Sequence, residues 1–191
     1  MQVENLSTCS KKYSIIYADP PWSYKRKGGP KHIGTAHQTY KSTMIDEDIY
    51  ALPVKDICTK NAILFLWVTF PKLPIGLTTI QKWGFEYKTC GFSWIKVNKK
   101  KWTLFWGTGH YTRANAEICL IGVKGKPKIK RHDIHSVVIA PNVKHSRKPT
   151  IVRDRIVKLC GDLPRIELFA TQQIPKWDCF GNEIENDTRT S

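Results

Sequence analysis

The sequence lacks three features that would place the protein in a specialised class. Six cysteines are present, but no two of them form a Cys-x-x-Cys pair, so neither a zinc site nor a dithiol redox centre is expected. No apolar run approaches the ~20 residues that a membrane-spanning helix requires. Residues Met1–Glu4 do not open a basic and apolar leader peptide. We therefore expect a reduced, cytoplasmic protein that holds no metal and contacts no membrane.

Acidic residues are also scarce, because 16 Asp and Glu stand against 31 Lys and Arg, for a formal net charge of +15. The excess is concentrated in residues 96–158, which hold 16 basic and 3 acidic residues. Aromatic residues are interleaved with this charge: Trp94, Trp102, Phe105, Trp106 and Tyr111. The mixture is typical of surfaces that neutralise phosphates and stack bases, so it favours a nucleic-acid partner. A solvated basic surface is the competing interpretation.

The chain does contain an alternation of short apolar and amphipathic segments over 191 residues, the size of one ordinary domain. The pattern predicts strands at Tyr13–Ala18, Ala62–Val68, Phe85–Val97, Ala116–Val123, Asp133–Ala140 and Arg165–Ala170, and helices at Asp46–Leu52, Pro71–Trp83 and Thr150–Cys160. Such alternation predicts an α/β fold with a largely parallel sheet and helices on both faces. We expect residues 1–191 to form a single domain with flexible ends at 1–11 and 185–191.

The first predicted strand runs directly into Asp19-Pro20-Pro21-Trp22. Ligands of parallel sheets bind at the carboxyl ends of the strands. An ionised Asp19 only accepts hydrogen bonds, and the prolines have no N–H and leave carbonyl oxygens free. Together with the flat ring of Trp22, these acceptors suit a planar group that bears an NH₂, such as adenine. The competing interpretation is an ordinary turn followed by a core tryptophan.

Several stretches resemble, in the same order, the MT-A70 family of adenine-N6 methyltransferases. "ADPPW" resembles the catalytic motif of that family, "GTGHYTRANAEICLIGVKGKP" its glycine-aromatic segment, "HSRKP" a helix start and "IELFA…W…FGNE" its closing motif. The resemblance extends from Tyr13 to Glu183. It implies a Rossmann-like class I methyltransferase fold with a mostly parallel, seven-stranded sheet. In this permuted order the DPPW motif precedes the motif that holds the cofactor, S-adenosylmethionine.

The resemblance also implies roles for particular residues. The implied catalytic residues are Asp19, Pro20, Pro21 and Trp22. The residues implied to bind the cofactor are Asp19, Lys148, Phe169, Thr171, Gln173, Asn182 and Glu183. The residues implied to line the acceptor substrate are Trp22, Tyr40, Tyr111, Arg113, Asn115 and Glu117. In these roles Asp19 and the Pro20 carbonyl would bind the target amine, and Trp22 would border the adenine.

Other interpretations exist for some of these residues. Lys148 could be a solvated residue at a helix start, Phe169 a core residue, and Glu117 a structural acid. Relatives commonly carry Arg where this chain has Thr171. Either the amides of the following residues, Gln172 and Gln173, replace its hydrogen bonds to the ribose, or the cofactor is bound less tightly.

These observations predict a methyltransferase that modifies the N6 amine of adenine in nucleic acid and releases S-adenosylhomocysteine. DNA is favoured, because the chain resembles the compact bacterial and phage members of the family. RNA methylation and a catalytically silent, nucleic-acid-binding subunit are the alternatives. Since no target-recognition domain is visible, target specificity is expected to come from the long irregular segments Ser23–Thr39 and Asn98–Ala114, from a homodimer or from a partner subunit. The expected location is the cytoplasm of a bacterial or phage-infected cell.

Overall fold

Seven strands and three α-helices make up the part of the chain that the computed structural model describes, which is residues 1–24, 43–109, 111–142 and 147–181. The strands are β1 (Tyr13–Ala18), β2 (Cys58–Val68), β3 (Glu86–Val97), β4 (Ala116–Lys124), β5 (Val137–Pro141), β6 (Arg165–Leu168) and β7 (Asp178–Phe180). The helices are α1 (Asp46–Ala51), α2 (Leu73–Lys82) and α3 (Ile151–Cys160), and 3₁₀ turns cover Leu6–Thr8, Val54–Ile57 and Phe70–Lys72.

All seven strands belong to one sheet, in the order β5-β3-β4-β2-β1-β6-β7. Strand β4 runs antiparallel to both of its neighbours, and every other neighbouring pair is parallel. The prediction of a Rossmann-like α/β fold with a mostly parallel, seven-stranded sheet is confirmed. Because β4 alone is reversed, its amino end lies at the same edge of the sheet as the carboxyl ends of the other strands.

Helices cover both faces of the sheet, as predicted. Successive side chains of β1 point to opposite faces. On one face Ile16 joins a buried cluster that includes Ile49 of α1 and Ile80 of α2. On the other face Tyr17 joins a cluster that includes Val152 of α3. Burial on both faces explains why residues 15–18 of β1 and residues 62–68 of β2 are continuously apolar in sequence.

Several elements differ from the sequence predictions. Strand β2 begins at Cys58 rather than at Ala62, and β6 ends at Leu168 rather than at Ala170. Strand β5 begins at Val137 rather than at Asp133, because its pairing with β3 begins at Ser93 opposite Val137. The helix predicted from Pro71 is a 3₁₀ turn followed by α2, which begins at Leu73 with a proline in its first turn. Strand β7 was not predicted, since it has three residues and pairs with β6 alone among the described strands.

Part of the amino-terminal segment, residues 1–11, for which a flexible end is expected from the sequence, packs against the sheet. Val3 is 7% exposed and Leu6 is 3% exposed. The Val3 N–H donates to the carbonyl of Cys179 at 2.8 Å, so the segment lies alongside β7. Residues 185–191, the other expected flexible end, lie outside the described residues. Among the described helices, none has the length and apolar character needed to cross a bilayer.

Candidate active site

Charged residues from distant parts of the chain meet at the carboxyl edge of the sheet. Asp19 follows β1 directly, and Lys148 lies in the segment before α3. Glu117 is the second residue of β4. The reversed direction of β4 brings Glu117 to the edge where β1 ends.

These residues form a chain of alternating charges that ends in Lys96 of β3. The Lys148 ammonium lies 2.6 Å from Asp19 Oδ2 and 3.2 Å from Glu117 Oε2. The other carboxylate oxygen of Glu117 accepts a hydrogen bond from Lys96 Nζ. The Lys148 side chain is only 9% exposed. It is therefore an ion-paired group in a partly buried site and not a solvated lysine.

The two carboxylates experience different electrostatic surroundings. Burial raises the pKa of the Asp19 carboxyl above its usual value; Lys148 opposes that rise and the carboxylate of Glu117 adds to it. Burial acts in the same direction on Glu117, but Lys148 and Lys96 outweigh it and lower the pKa of Glu117. Glu117 is thus held as an anion, and Asp19 is the carboxylate that gains a proton first as the pH falls.

Two tryptophans lie beneath the ammonium groups. Lys148 Nζ is 5.5 Å from the ring centroid of Trp67, and Lys96 Nζ is 4.8 Å from that of Trp94. The two rings meet edge to face with centroids 6.4 Å apart. Trp67 is in turn held through its carbonyl, which accepts a hydrogen bond from Trp22 Nε1 at 3.1 Å. These contacts restrict the positions of both lysines.

A cavity of about 360 Å³ opens on one side of Asp19 and Lys148. Its walls come from the end of β5, the start of α3 and the segment after β6. The lining residues are Asp19, Ala140, Pro141, Arg147, Lys148, Pro149, Thr150, Ile151, Arg153, Glu167, Phe169, Thr171 and Gln172. This volume is in the range of small-molecule sites.

A second cavity, of about 30 Å³, lies on the other side of the same two residues. Its lining residues are Asp19, Pro20, Trp22, Tyr24, Trp67, Val68, Thr69, Glu117 and Lys148. The volume admits one or two groups of the size of a water molecule. Asp19 and Lys148 therefore form a wall between a space for a small molecule and a space for a group of a few atoms.

A buried ion pair lies in the wall of the larger cavity. Arg153 of α3 donates to Glu167 of β6 through Nε at 2.7 Å and through NH2 at 2.5 Å. Arg153 is 8% exposed and Glu167 is 7% exposed. The Arg153 guanidinium also lies 5.4 Å from the ring centroid of Tyr17. The bidentate pair joins α3 to β6 and so holds this wall of the larger cavity in place.

Replacing Arg153 with methionine is expected to lower the free energy of unfolding by about 3–5 kcal/mol, because it leaves the Glu167 carboxylate buried without its partner. Urea unfolding followed by circular dichroism measures the loss. Arg155→Met is the matched control on the same helix, since the hydrogen bonds that Arg155 donates within the described part of the chain go to the exposed carbonyls of His135 and Val137. A loss no larger than that of the control would show that the pair does not stabilise this wall.

The four DPPW residues lie in different surroundings. Asp19 and Pro20 line the smaller cavity. The Pro20 carbonyl already accepts the Trp22 N–H at 2.8 Å, although a carbonyl oxygen can accept a second hydrogen bond. The Pro21 carbonyl accepts the Met44 N–H at 3.1 Å. Trp22 is 6% exposed and packs in the core, so only part of its ring reaches the smaller cavity.

Some of the residues predicted to bind the cofactor line the larger cavity, and others do not. Phe169 and Thr171 line the larger cavity, but Gln173 does not, and Gln172 takes its place there. Phe169 has a φ of 61°, a left-handed conformation that is uncommon for a residue other than glycine and often marks functional sites. Asn182 and Glu183 lie outside the described residues, as does Tyr40 from the substrate set.

The remaining substrate residues lie apart from both cavities, with the exception of Glu117. Tyr111 and Arg113 are exposed. The carbonyl of Asn115 accepts the backbone N–H of Lys96 at 2.7 Å. Within the described ranges, no three His, Cys, Asp or Glu side chains are grouped as a metal site would require.

Sequence reasoning missed several residues of the site. Tyr24 and Thr69 line the smaller cavity and are joined by a 2.6 Å hydrogen bond between their hydroxyl groups. Arg153, Glu167 and Lys96 were also missed. Their positions follow from pairing between different strands and helices, and no local sequence pattern records that pairing.

Comparison with known proteins gives a consistent result over most of the chain. The family described as MT-A70 matches residues 13–183. The type II methyltransferase M.MunI of Mycoplasma sp is 32% identical, over 93% of this chain and 80% of that protein. The human N(6)-adenosine-methyltransferase catalytic subunit METTL3 is 29% identical, over 91% of this chain and 28% of that protein. An MT-A70-like N(6)-adenosine-methyltransferase of Arabidopsis thaliana is 27% identical, over 90% of this chain and 24% of that protein. The chain thus spans four fifths of the Mycoplasma relative but only about a quarter of the two eukaryotic ones.

Proposed function

The chain belongs to the MT-A70 family, and from that premise we propose that it transfers a methyl group from S-adenosylmethionine to the N6 amine of adenine in DNA. The observation that carries this proposal is the wall formed by Asp19 and Lys148 between two cavities. Methyl transfer between two molecules needs a donor space and an acceptor space that meet at one point. The carboxylate of Asp19 lies where they meet.

The larger cavity fits S-adenosylmethionine in size and in chemistry. Phe169 provides an apolar surface for the adenosine, and Thr171 and Gln172 provide hydrogen-bonding groups for the ribose hydroxyls. Lys148 provides a cation for the methionyl carboxylate. When bound, the cofactor supplies an electrophilic methyl group on its sulfonium. Gln172 lies beside the position where relatives carry Arg, which supports replacement of that arginine by an amide.

On the acceptor side, the smaller cavity has room for an amino group but not for a purine ring. We place the amine in this cavity, with Asp19 and the Pro20 carbonyl accepting its two N–H groups. The ring then lies at the rim beside Tyr24, which is 44% exposed. Held in this way, the nitrogen lone pair points out of the ring plane toward the larger cavity. Positioning, and not a strong base, carries much of the rate enhancement.

The raised pKa of Asp19 gives this carboxylate a second role. Directly after methyl transfer the N6 nitrogen is positively charged and carries two protons, whereas the neutral product amine carries one. Asp19, which already accepts an N–H from the amine, takes up that proton. Its raised pKa makes it a better acceptor than a solvated aspartate. Lys148, whose ammonium lies 2.6 Å from Asp19 Oδ2, favours the anionic form until that step.

We favour DNA as the acceptor because the type II methyltransferase relative matches over 80% of its length, whereas the human adenosine methyltransferase matches over 28% of its length. The basic stretch 96–158 supports binding to either nucleic acid, since phosphate contacts carry no sequence information. Cytoplasmic location stays a prediction.

Transfer of a tritiated methyl group tests the proposal. The purified protein is incubated with labelled S-adenosylmethionine and with DNA, RNA of the same sequence, and DNA without adenine. Label is expected in the adenine-containing DNA, and N6-methyladenine is identified after digestion to nucleosides. Preferential labelling of RNA would replace the DNA assignment. Absence of label in every substrate, with DNA binding retained, would identify a catalytically silent subunit and overturn the proposal.

A further inference from the structure

An exposed aromatic segment, residues 102–106, follows β3 and lies outside both cavities. Trp102, Leu104 and Trp106 are 62%, 62% and 75% exposed, so large apolar side chains occupy every second position. Phe105, between two of them, is only partly exposed. Grouped exposed apolar side chains of this size mark interaction sites on soluble domains.

The aromatic segment is anchored to the active site. Leu104 forms an antiparallel bridge with Val97, the last residue of β3. The Phe105 N–H donates to the carbonyl of Lys96 at 2.9 Å, and the Asn98 side chain donates to the Leu104 carbonyl at 3.1 Å. Lys96 carries the ammonium that pairs with Glu117. The segment therefore lies at the same edge of the sheet as Asp19.

The positive charge around the aromatic segment indicates which class of partner binds there. Lys99, Lys100 and Lys101 precede it and are exposed, and the Arg113 guanidinium lies 5.3 Å from the ring centroid of Trp106. The surrounding residues 96–158 carry a net charge of +13. Contact with a second copy through this surface would bring like charges together. A polyanion that also presents flat apolar groups is complementary to it.

Paired bases in a duplex are covered on both faces by their neighbours, whereas unpaired bases leave a face open to an aromatic side chain. We propose that Trp102 and Trp106 stack on unpaired bases flanking the target adenine, so that the preferred substrate is single-stranded DNA. The proposal rests on the methyltransferase function proposed above and adds the state of the DNA. The target base has to leave a duplex stack before its amine can enter the smaller cavity beside Asp19, and an unpaired strand removes that cost.

The test compares wild type with Trp102→Ala and Trp106→Ala on single-stranded and duplex DNA of one sequence. Wild type is expected to bind and methylate the single strand more tightly and faster than the duplex. Each substitution is expected to weaken single-strand affinity about tenfold, the order found when one base loses an aromatic partner. The salt dependence of binding is expected to keep its slope, because no charge is removed.

Two further variants make the result specific. Tyr87→Ala removes a 41%-exposed aromatic from the amino end of β3, at the opposite edge of the sheet, and is expected to match wild type. Trp106→Phe keeps a stacking ring and is expected to recover much of the affinity that Trp106→Ala loses. Fluorescence of 2-aminopurine placed beside the target adenine reports stacking directly, and its quenching is expected in wild type but not in Trp106→Ala.

Each contrary outcome has a distinct meaning. Wild-type affinity and methylation in both tryptophan variants would overturn the stacking role and leave the proposed function intact. A duplex preference in wild type would overturn the single-strand assignment. A change from dimer to monomer in the variants, measured by sedimentation, would assign the surface to a second copy instead. No methyl transfer by wild type to any DNA would overturn the proposed function itself.

Discussion

Asp19→Asn is expected to reduce the methyl-transfer rate roughly 10²–10³-fold, the order of effect found when one preorganised catalytic hydrogen-bonding group is removed. The substitution preserves the size of the side chain. It replaces an acceptor oxygen with an NH₂ group that faces the N–H groups of the substrate amine, and it removes the negative charge that pairs with Lys148. Single-turnover kinetics with saturating cofactor isolates this step from cofactor binding.

The control for this variant is Asp133→Asn, which removes an exposed carboxylate paired with Arg131 and alters the net charge by the same amount. It is expected to keep wild-type activity. Cofactor affinity, measured by calorimetry, is expected to fall much less than the rate in Asp19→Asn, because Thr171, Gln172 and Phe169 are unchanged. Wild-type turnover by Asp19→Asn would refute the mechanism proposed for the amine.

The pH dependence of the wild-type enzyme follows from the same carboxylate. Burial raises the pKa of the Asp19 carboxyl, and Lys148 opposes that rise. The carboxylates of Glu117 and Glu167 raise the pKa further. Asp19 accepts hydrogen bonds from the amine only when ionised. The rate is therefore expected to fall as the pH decreases through this raised pKa, at a higher pH than for a solvated aspartate.

Lys148→Met is expected to lower the rate at neutral pH about 10²-fold, the order of loss caused by misplaced catalytic groups. Without the ammonium, Asp19 and Glu117 face each other as like charges, and the pKa of Asp19 rises further. The acid limb of the pH–rate profile is therefore expected to move to higher pH. Raising the pH should restore part of the activity, which a purely structural lysine would not explain.

A matched control exists for the charge that Lys148→Met removes. Lys128 is exposed and belongs to the same basic stretch, so Lys128→Met alters the net charge equally and is expected to leave the rate and the pH profile unchanged. Lys148→Met is also expected to raise the KM for S-adenosylmethionine, because it removes the cation proposed to bind the methionyl carboxylate. An unaltered acid limb in Lys148→Met would show that Lys148 does not govern the ionisation of Asp19.

Much of the fold was predictable because its signals are local. Residues 15–18 of β1 and residues 62–68 of β2 are buried, so each of these runs is continuously apolar in sequence. Helix α3 was predicted within one residue, because its apolar face faces the sheet and Gly161 ends it with a φ of 92°. Strand β7 carried no comparable signal, since a three-residue strand at the edge of a sheet needs little apolar sequence.

Part of the candidate site was also predictable, and the missing part has a common physical origin. Asp19 was singled out because an acid directly after a buried strand is a local feature. Lys148 and Glu117 were named through resemblance, but their mutual contact was not. The role of Lys96 could not be predicted, because nothing in the sequence distinguishes it from the other lysines of the basic stretch. Only the pairing of β3 with β4 brings it to Glu117.

The sequence by itself determined the hydrogen-bond acceptors that follow β1, the pattern of strands and helices, and the strong positive charge of residues 96–158. Those properties depend on residue type and short spacing. Only the tertiary structure decided that Lys148, 129 positions away from Asp19, neutralises it, and that both separate a large cavity from a small one. It also decided that the ring of Trp22 packs in the core while Trp102 and Trp106 face solvent. Contacts over such separations depend on strand order and direction, which no short stretch of the chain encodes.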